Sequence, residues 1–395
     1  RRVLFRSRVW MDMVTFGWSV EADIVPGLTE CLVLWGTNPA QSDNSAFWQH
    51  IRAYAAGGGA LVVVDPRRTE AAAIADVWLP VRPGTDAVLA LGLLNVIIGE
   101  ELYDASFVDA WCSGFDELAR AVAPLAPEAV AVTCGVSADD IRRAARLFSG
   151  GRASALVSGR GIDQIGAAVA PTHRALCCLR AITGNVDKPG ACVLAEAPDF
   201  VSELAMEMSD AMPASCRAAA LSSYRTPLQS YAGYDALRAL TERLGRTPPM
   251  RYLTSAHPDL VLRAMEEGRP YPIRALVVQA TNPLLTYGDT ARVQRALAAL
   301  DLLVVLEYRL TPTAQLADYV LPIAGALERP VLQVHGGIAN AAYGGPAAVA
   351  PYYERRCDYD VFRELGRRLG QAEFWPEETL EDAFASQLLP AGLSW

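Results

Sequence analysis

Short apolar runs that end in the same turn occur at two places in the chain. The first extends from Leu32 to Pro39 and the second from Leu276 to Pro283, and each ends in Thr-Asn-Pro. Each copy is followed by a helix-like segment and a second apolar run, and those second runs end in Asp65 and Glu307. Short apolar runs bounded by turn signals are typical of buried parallel strands. The pattern therefore predicts two related strand–helix–strand units.

The match between the two copies continues beyond the second apolar run. Asp65 and Glu307 are each followed, eleven residues later, by the acid of an Ala-Asp-x-x-Leu-Pro segment, at Asp76 and Asp318. An acid just before an apolar strand is more often a structural cap than a ligand, so we predict a structural role for both. A matched set of this length is hard to produce by chance, and it indicates a duplicated α/β unit.

Hydrophobic periodicity predicts the other elements and the fold class. Strand, helix and strand joined by short loops imply a parallel sheet with right-handed crossovers. We predict an α/β fold with two related doubly wound parallel-sheet (Rossmann-like) domains, in which Asp86 can cap the helix over 87–98. The predicted strands cover residues 31–35, 60–64, 76–81, 154–157, 275–279 and 302–306. The predicted helices cover residues 10–24, 45–56, 87–98, 104–111, 115–123, 127–132, 138–148, 167–182, 257–268, 290–300, 359–369 and 375–388.

The domain organisation follows from the two units. We predict a first dinucleotide-binding domain over residues 8–195, a second over 196–366, and a helical linker over 367–395. Residues 1–7 read RRVLFRS, which resembles a translated sequencing adaptor, and we exclude them from fold reasoning. We expect the chain to be a fragment of a longer protein.

Composition narrows the class of partner. The chain has 395 residues, a formal net charge of −9 and a pI near 5.1, so it offers no basic field for nucleic acid or an anionic membrane. No apolar run reaches the length of a membrane span. The eight cysteines form no C-x-x-C pair and the four histidines lack zinc-site spacing, which favours free buried thiols over a metal site.

Polar residues at the predicted strand ends are the candidate binding groups. In open α/β sheets, ligands lie beyond the carboxyl ends of the strands. Asn38 and Asn282 offer amide donors and acceptors there, and the following helix N-terminus attracts a pyrophosphate. Asp65 and Glu307 end the next strands, where a carboxylate commonly accepts hydrogen bonds from a ribose or a purine edge. Each single turn is also frequent in ordinary loops, so the specificity comes from the duplication.

Other candidates carry weaker signals. Arg67 and Arg309 occupy matched positions and could reach phosphate. Asp86 could accept two hydrogen bonds from guanine, against the simpler reading of a helix cap. Gly159-x-Gly161 lacks the third glycine of a dinucleotide fingerprint, which weakens an alternative reading as a nicotinamide or flavin enzyme.

Several segments together resemble one known family. These are GTNPAQS, VVVDPRRTEAAAIADVWLPVRPGTDAVLALGLL, GRGIDQ, AITGNVDKPG, ATNPLLT and LADYVLP. They are similar to the molybdopterin oxidoreductases of the dimethyl-sulfoxide-reductase type, over nearly all of residues 8–395. Within that group the chain most resembles the acetylene hydratase-like branch.

The resemblance implies a cofactor and the residues that bind it. The cofactor is molybdenum or tungsten held by two molybdopterin guanine dinucleotides, bis(molybdopterin guanine dinucleotide). The implied contacts of the first dinucleotide are Gly36, Asn38 and Gln41, with Asp65 and Arg67 at its guanosine, Gly84 and Asp86 over its guanine, and Gly159, Gly161 and Gln164 on the pterin side. Those of the second are Thr281, Asn282 and Thr286, with Glu307 and Thr311 at its guanosine. Glu307 stands where the family usually has Asp, so the carboxylate is kept but is one methylene longer.

The departures from the family concern the reaction. Nothing matches the family's cysteine cluster, so a 4Fe–4S cluster is expected only in an N-terminal part beyond this sequence. The protein ligand to the metal is expected upstream, and the family's C-terminal barrel is not matched. We therefore expect a fragment of a catalytic subunit, inactive alone, that serves redox or hydration chemistry on a small-molecule substrate with an iron–sulfur electron-transfer subunit as partner.

A second hypothesis gives the fold no catalytic role. Some relatives in this family have lost the metal centre, and the chain could be a non-catalytic scaffold in a respiratory complex. The polar groups kept at every predicted strand end favour the catalytic hypothesis. The cellular location is left open.

Overall fold

The computed structural model describes residues 6–17, 19–42, 46–163, 168–194, 211–221, 230–243, 256–335 and 341–395. It divides into two compact units. The first unit contains the described residues up to 194 and residues 240–243, and the second contains those of 211–239 and those from 256 onwards. The domain boundaries predicted from the sequence stay predictions.

The strands are short and the helices are numerous. The strands are β1 (Val20–Ala22), β2 (Cys31–Trp35), β3 (Ala60–Val64), β4 (Val77–Leu79), β5 (Ser154–Ser158), β6 (Cys192–Leu194), β7 (Ala275–Gln279), β8 (Leu302–Glu307), β9 (Tyr319–Pro322), β10 (Val331–His335) and β11 (Ala341–Gly345). The helices up to residue 194 are α1 (Arg6–Phe16), α2 (Pro39–Ser42), α3 (Phe47–Ala56), α4 (Glu70–Ala73), α5 (Asp86–Gly99), α6 (Ala105–Trp111), α7 (Phe115–Val122), α8 (Pro127–Cys134), α9 (Ala138–Ser149), α10 (Arg160–Asp163) and α11 (Val169–Ile182). The later helices are α12 (Ala214–Ala218), α13 (Tyr231–Arg243), α14 (Pro258–Glu267), α15 (Pro283–Thr286), α16 (Thr290–Ala298), α17 (Asp358–Arg368) and α18 (Leu380–Leu388).

The first unit is built on a four-stranded parallel sheet, in the order β4-β3-β2-β5. Successive side chains of a strand point to opposite faces, and here both faces are covered. Val33 and Trp35 of β2 pack in one buried cluster, whereas Leu32 and Leu34 pack in another. Cover on both faces is why these strands are continuous apolar runs, and it confirms the predicted α/β class.

The strand order creates a crevice beside β2. The chain passes from β2 to β3 and β4 on one side, and later returns to place β5 on the other side. The connections therefore leave β2 and β5 in opposite directions, which makes the carboxyl end of this strand pair a topological switch point. The loops that begin at Gly36 and Gly159 meet there.

The N-terminal segment differs from the prediction of one helix over residues 10–24. Helix α1 ends at Phe16 because Gly17 follows it with φ +74°. The chain then forms β1, which pairs with β6 in antiparallel register. A buried carboxylate, Asp12, accepts hydrogen bonds from Arg180 Nη1 at 3.3 Å and from the Val20 N–H at 3.4 Å. This contact between residues far apart in sequence ties α1 to α11 and β1.

The second unit repeats part of the first. Strands β7, β8 and β9 form a parallel sheet in that order, as β2, β3 and β4 do. Asp76 Oδ2 accepts from the Leu61 N–H at 2.9 Å, and Asp318 Oδ2 accepts from the Leu303 N–H at 2.7 Å. The structural role predicted for the two acids is confirmed: each satisfies a backbone donor at the start of the neighbouring strand.

The second sheet is covered more fully on one face than on the other. Leu303 and Val305 of β8 pack in a buried cluster with residues of α14 and α16. Two residues that point the other way, Val277 and Tyr319, are 43% and 63% exposed. Strands β10 and β11 follow β9 in the chain and pair with each other in antiparallel register. No helix in the described part of the chain is long and apolar enough to cross a membrane.

Candidate functional site

The conformation of the turn after β2 favours a glycine. Gly36 has φ +61°, a left-handed conformation that L side chains rarely adopt, and its N–H donates to the Val64 carbonyl at 2.8 Å. A Cβ at this position would lie 3.0 Å from Ile162 Cγ2. The turn is therefore fixed between the end of β3 and the segment that follows β5.

Two more predicted residues, Gly159 and Gly161, lie against this turn. The Gly159 N–H donates to the Trp35 carbonyl at 2.7 Å, and the Gly161 N–H donates to the Gly36 carbonyl at 3.0 Å. A Cβ on Gly159 would lie 2.2 Å from the Gly36 oxygen, which no side chain can do. The Gly-x-Gly pair, a weak signal in the sequence, thus permits two loops to touch at the switch point.

Asn38 lies between these loops and α4. Its Nδ2 donates to Glu70 Oε2 at 3.2 Å, while its Oδ1 is buried and has no hydrogen-bond partner among the described residues. Gln41 is exposed and contributes to the lowered pKa of Glu70. The pKa of Glu70 lies below its usual value because its own backbone N–H at the start of α4, and then Asn38, stabilise the carboxylate.

Asp65 directly follows β3 and shapes the next turn. Its Oδ1 accepts from the Arg67 N–H at 2.8 Å, and its carbonyl accepts from Trp78 Nε1 at 2.9 Å. The Arg67 side chain is exposed. Asp65 stays half-buried at the carboxyl edge of the sheet, where its second oxygen can take further donors.

Asp86 does not cap α5. It is the first residue of that helix, the N-cap Thr85 makes no side-chain capping bond, and Asp86 Oδ1 accepts from Trp35 Nε1 at 2.9 Å. The indole of Trp35 is fully buried, so its N–H needs a partner, and the sequence around Asp86 does not reveal this. Gly84, with φ +86°, is exposed and has open space around it.

A buried polar pair connects α11 to α10, the short helix that follows β5. His173 Nε2 of α11 hydrogen-bonds the carboxylate of Asp163, the last residue of α10, and both side chains are almost fully buried. His173 is therefore a buried, hydrogen-bonded histidine of the first unit. Gln164 lies outside the described residues.

The second unit repeats the first turn in detail. Ala280 takes the left-handed conformation of Gly36, with φ +55°. Thr286 Oγ1 donates to the Asn282 carbonyl at 2.9 Å, and Ser42 Oγ makes the matching bond to the Asn38 carbonyl at 3.0 Å. Thr281 and Asn282 are half-buried at the carboxyl end of β7.

The turn after β8 corresponds to the turn after β3. Glu307 is half-buried, and its Oε1 accepts from the N–H of the next residue, Tyr308, at 2.9 Å. Thr311 Oγ1 accepts from the Ala314 N–H at 3.2 Å, as Thr69 Oγ1 accepts from the Ala72 N–H at 3.2 Å. Thr311 therefore has a structural bond besides any contact with a ligand.

A one-turn helix that the sequence did not predict follows each Thr-Asn-Pro turn. Helix α2 and helix α15 have four residues each, and the longer helices α3 and α16 begin only afterwards. A single turn sums few peptide dipoles, so its free N–H groups matter more to an anion than a macrodipole does.

Sequence reasoning missed four residues of these edges. Comparing the two copies position by position would have found Ser42, because it matches Thr286. The same comparison aligns Thr313 with Ala71, and this difference between the copies would have identified Thr313 as a candidate. Glu70 and Trp35 carry no signal in the sequence, since their roles depend on partners brought together by the fold.

A separate cavity lies away from these residues. It has a volume of about 460 Å³ and lies before β5, at the amino-terminal edge of the sheet. It is lined by Leu102, Tyr103, Asp104, Ser149, Gly151, Arg152, Thr183 and Lys188. Within the described ranges, no group of three or more His, Cys, Asp or Glu residues is arranged to hold a metal ion.

Comparisons with known proteins match nearly the whole chain. The family model described as molybdopterin oxidoreductase matches residues 27–368. Acetylene hydratase of Syntrophotalea acetylenica is 34% identical over 369 residues, which cover 93% of this chain and 50% of that protein. Formate dehydrogenase H of Escherichia coli (strain K12) is 29% identical over 348 residues, which cover 87% of this chain and 45% of that protein.

A solved structure shares the fold. Acetylene hydratase from Pelobacter acetylenicus superimposes with a TM-score of 0.91 at 33% sequence identity, covering 99% of this chain and 54% of that chain. The chain thus spans about half the length of the curated relatives it matches.

Proposed function

The chain belongs to the molybdopterin oxidoreductase family, and we propose that its two units bind two molybdopterin guanine dinucleotides for a molybdenum or tungsten centre. The first dinucleotide is assigned to the carboxyl edge of the β4-β3-β2-β5 sheet and the second to that of the β7-β8-β9 sheet. The assigned residues are Gly36, Asn38, Gln41, Asp65, Arg67, Gly84, Asp86, Gly159, Gly161 and Gln164 for the first, and Thr281, Asn282, Thr286, Glu307 and Thr311 for the second.

The observation that carries the proposal is the repeated edge. Each copy has a left-handed residue, a Thr-Asn-Pro turn closed by a hydroxyl, and a carboxylate at the end of the next strand. Two equivalent edges suit a cofactor that contains two copies of one dinucleotide. The donor set also fits, because carboxylates and amides at strand ends recognise ribose, guanine and pterin groups by hydrogen bonds.

The buried Oδ1 of Asn38 supports the fit. A buried acceptor without a partner costs about 1–3 kcal/mol, and native proteins retain few of them. A ligand donor at this edge would remove that cost. The main-chain N–H groups of the two one-turn helices and the exposed Arg67 suit the pyrophosphate of a dinucleotide.

These residues bind and orient the cofactor, and do not carry the reaction. When bound, the metal centre supplies redox or Lewis-acid chemistry. The tight contact of Gly36 with Gly159 and Gly161 fixes the two loops against each other, so the first dinucleotide would meet an edge whose shape is set by backbone packing.

The names of the relatives support a proposal about the class of substrate. Their names include a hydratase, formate dehydrogenases and a thiosulfate reductase subunit, all for small substrates. We propose a small-molecule substrate and, for a redox reaction, an iron–sulfur electron-transfer subunit. A 4Fe–4S cluster in a part of the protein beyond this sequence remains part of the proposal.

The test is nucleotide retention. The full-length protein is produced in a host that makes molybdopterin guanine dinucleotide, then acid-hydrolysed, and the released GMP and pterin are measured per chain. Asp65→Ala should retain less of both, because a guanosine hydrogen bond is lost. Asp139→Ala, on an exposed carboxylate of α9, is the matched control and should retain the wild-type amount.

Two results would contradict the proposal. One is a wild-type chain that retains no GMP, which would favour the non-catalytic scaffold. The other is an Asp65→Ala chain that retains as much GMP and pterin as the control.

A further inference from the structure

The two Thr-Asn-Pro turns share a backbone but differ in the partners of their asparagines. The left-handed residue and the hydroxyl bond to the Asn carbonyl are the same in both copies. The difference therefore lies in the side-chain amides of Asn38 and Asn282, which are the polar groups that the turns offer to a ligand.

In the first copy, the amide nitrogen is occupied by protein. Asn38 Nδ2 donates to Glu70 Oε2 at 3.2 Å, and an ionised carboxylate can only accept. The amide must therefore direct Nδ2 toward Glu70, and Oδ1 is the atom that remains available to a ligand. That oxygen is buried and has no partner among the described residues.

In the second copy, the amide oxygen is occupied. Thr313 Oγ1 accepts from the Leu284 N–H at 3.1 Å, so its single hydrogen is free to be donated to Asn282 Oδ1 at 2.5 Å. Thr313 is fully buried, which protects this bond from water. The amide is again fixed, but with Nδ2 left over. Among the described residues, Nδ2 of Asn282 has no hydrogen-bond partner.

The two copies cannot exchange these roles as they stand. The position of Thr313 is filled in the first copy by Ala71, which is also fully buried and has no hydroxyl. The position of Glu70 is filled in the second copy by Pro312, which has no acceptor side chain. Each asparagine is therefore oriented by a residue that the other copy lacks.

We propose that the two turns bind their ligands with opposite hydrogen-bond polarity: Asn38 accepts through Oδ1, and Asn282 donates through Nδ2. Glu70 and Thr313 are the positioning residues that set this difference. This inference rests on the proposed function, and it makes the two dinucleotides non-equivalent. The first turn requires an N–H or O–H donor from its dinucleotide, whereas the second requires an acceptor such as a phosphate or ring oxygen.

The test exchanges amide for carboxylate in each copy. Asn282→Asp removes the donor and keeps the acceptor for Thr313, so the chain should lose half of its acid-released GMP. Asn38→Asp combined with Glu70→Gln keeps the free acceptor and the bond between the two side chains, with the roles of donor and acceptor exchanged and the charge unchanged. This double variant should retain more GMP than Asn282→Asp does, because an acceptor oxygen is still offered to the first dinucleotide.

A control and a second pair of variants separate binding from folding. Asn95 lies away from both edges, and its Nδ2 donates to the Val122 carbonyl at 2.9 Å. Asn95→Asp also removes an amide donor, and this variant should retain the wild-type amount of GMP. Thr313→Val should release GMP about tenfold faster than Thr313→Ser in dialysis, because only Ser keeps the hydroxyl that orients Asn282. Thermal melting of each variant shows whether it is folded.

The outcomes distinguish this inference from the proposed function. If Asn282→Asp retains full GMP, or if the double variant loses as much as Asn282→Asp does, the opposite polarity is wrong while the proposed function stands. Equal release rates for Thr313→Val and Thr313→Ser would remove the positioning role of Thr313. If the wild-type chain holds no GMP, the proposed function fails and this inference with it.

Discussion

The bond between Asp86 and Trp35 gives the sharpest quantitative prediction. Asp86 Oδ1 accepts from a fully buried indole N–H at 2.9 Å, at the carboxyl end of β2. Asp86→Ala removes the acceptor and leaves that donor buried without a partner, at a cost of about 1–3 kcal/mol. It also removes an acid from the first turn of α5, worth about 0.3–1 kcal/mol. The free energy of opening β2 should fall by about 2–3 kcal/mol.

Asp86→Asn is the matched variant. Its Oδ1 can still accept from Trp35, so the structural loss should be only the charge term, about 1 kcal/mol or less. The guanine contact proposed for Asp86 needs two acceptor oxygens, and Asn has one. Asp86→Asn should therefore keep most of the stability yet retain less GMP, whereas Asp86→Ala should lose both.

Hydrogen–deuterium exchange of the β2 amides, followed by mass spectrometry, measures this local stability. A loss of about 2–3 kcal/mol should speed exchange by roughly 30- to 150-fold where opening is pre-equilibrated. A double-mutant cycle with Trp35→Phe isolates the pair, and we expect a coupling of about 1.5–3 kcal/mol, as for hydrogen bonds to charged groups. The reasoning is refuted if Asp86→Ala exchanges at the wild-type rate, or if the coupling is near zero.

Three further predictions concern the same edge. Gly159→Ala should prevent accumulation of folded protein, since its Cβ would lie 2.2 Å from a carbonyl oxygen. Gly84→Ala should lower the free energy of unfolding by only about 1–2 kcal/mol, because of its positive φ. Soluble yield and thermal melting compare the two variants. His173→Leu should lower stability by about 3–5 kcal/mol because it leaves the buried Asp163 carboxylate without its partner, and His173→Gln should lose less in urea unfolding. The pKa of Glu70 is lowered in the folded state, so its ionised carboxylate stabilises the fold at pH values above the ordinary pKa of 4.5. This stabilisation is lost as pH falls through the lowered pKa, and the acid-induced fall in the urea midpoint should therefore be smaller in Glu70→Gln.

The strands at the centre of the first sheet could be predicted well because they are buried on both faces. A run such as Cys31–Trp35 or Ala60–Val64 is apolar at every position, and both runs form strands with the bounds that the pattern predicts. The three-residue pair β1–β6 could not be predicted, since its partners lie far apart in sequence and neither is an apolar run of useful length. Gly17 explains why the N-terminal helix ends before it.

The site was predicted as a set of positions, without its contacts. The repeat located both turns and both strand-end acids, and the fold puts each set at one sheet edge because parallel strands end together. The sequence did not show that Asp86 serves the Trp35 indole, or that Gly159 is needed for contact with Gly36. Such roles depend on groups that meet only after folding.

The sequence alone determined the duplicated α/β unit, the two Thr-Asn-Pro turns and the resemblance to the family. These features depend on local spacing and on a repeat, which are present in the linear chain. Only the tertiary structure decided how each asparagine is oriented, because Glu70 and Thr313 reach Asn38 and Asn282 from other elements. Two turns with the same letters thus offer opposite hydrogen-bonding groups, and the physical reason is the single partner that each amide finds in its own unit.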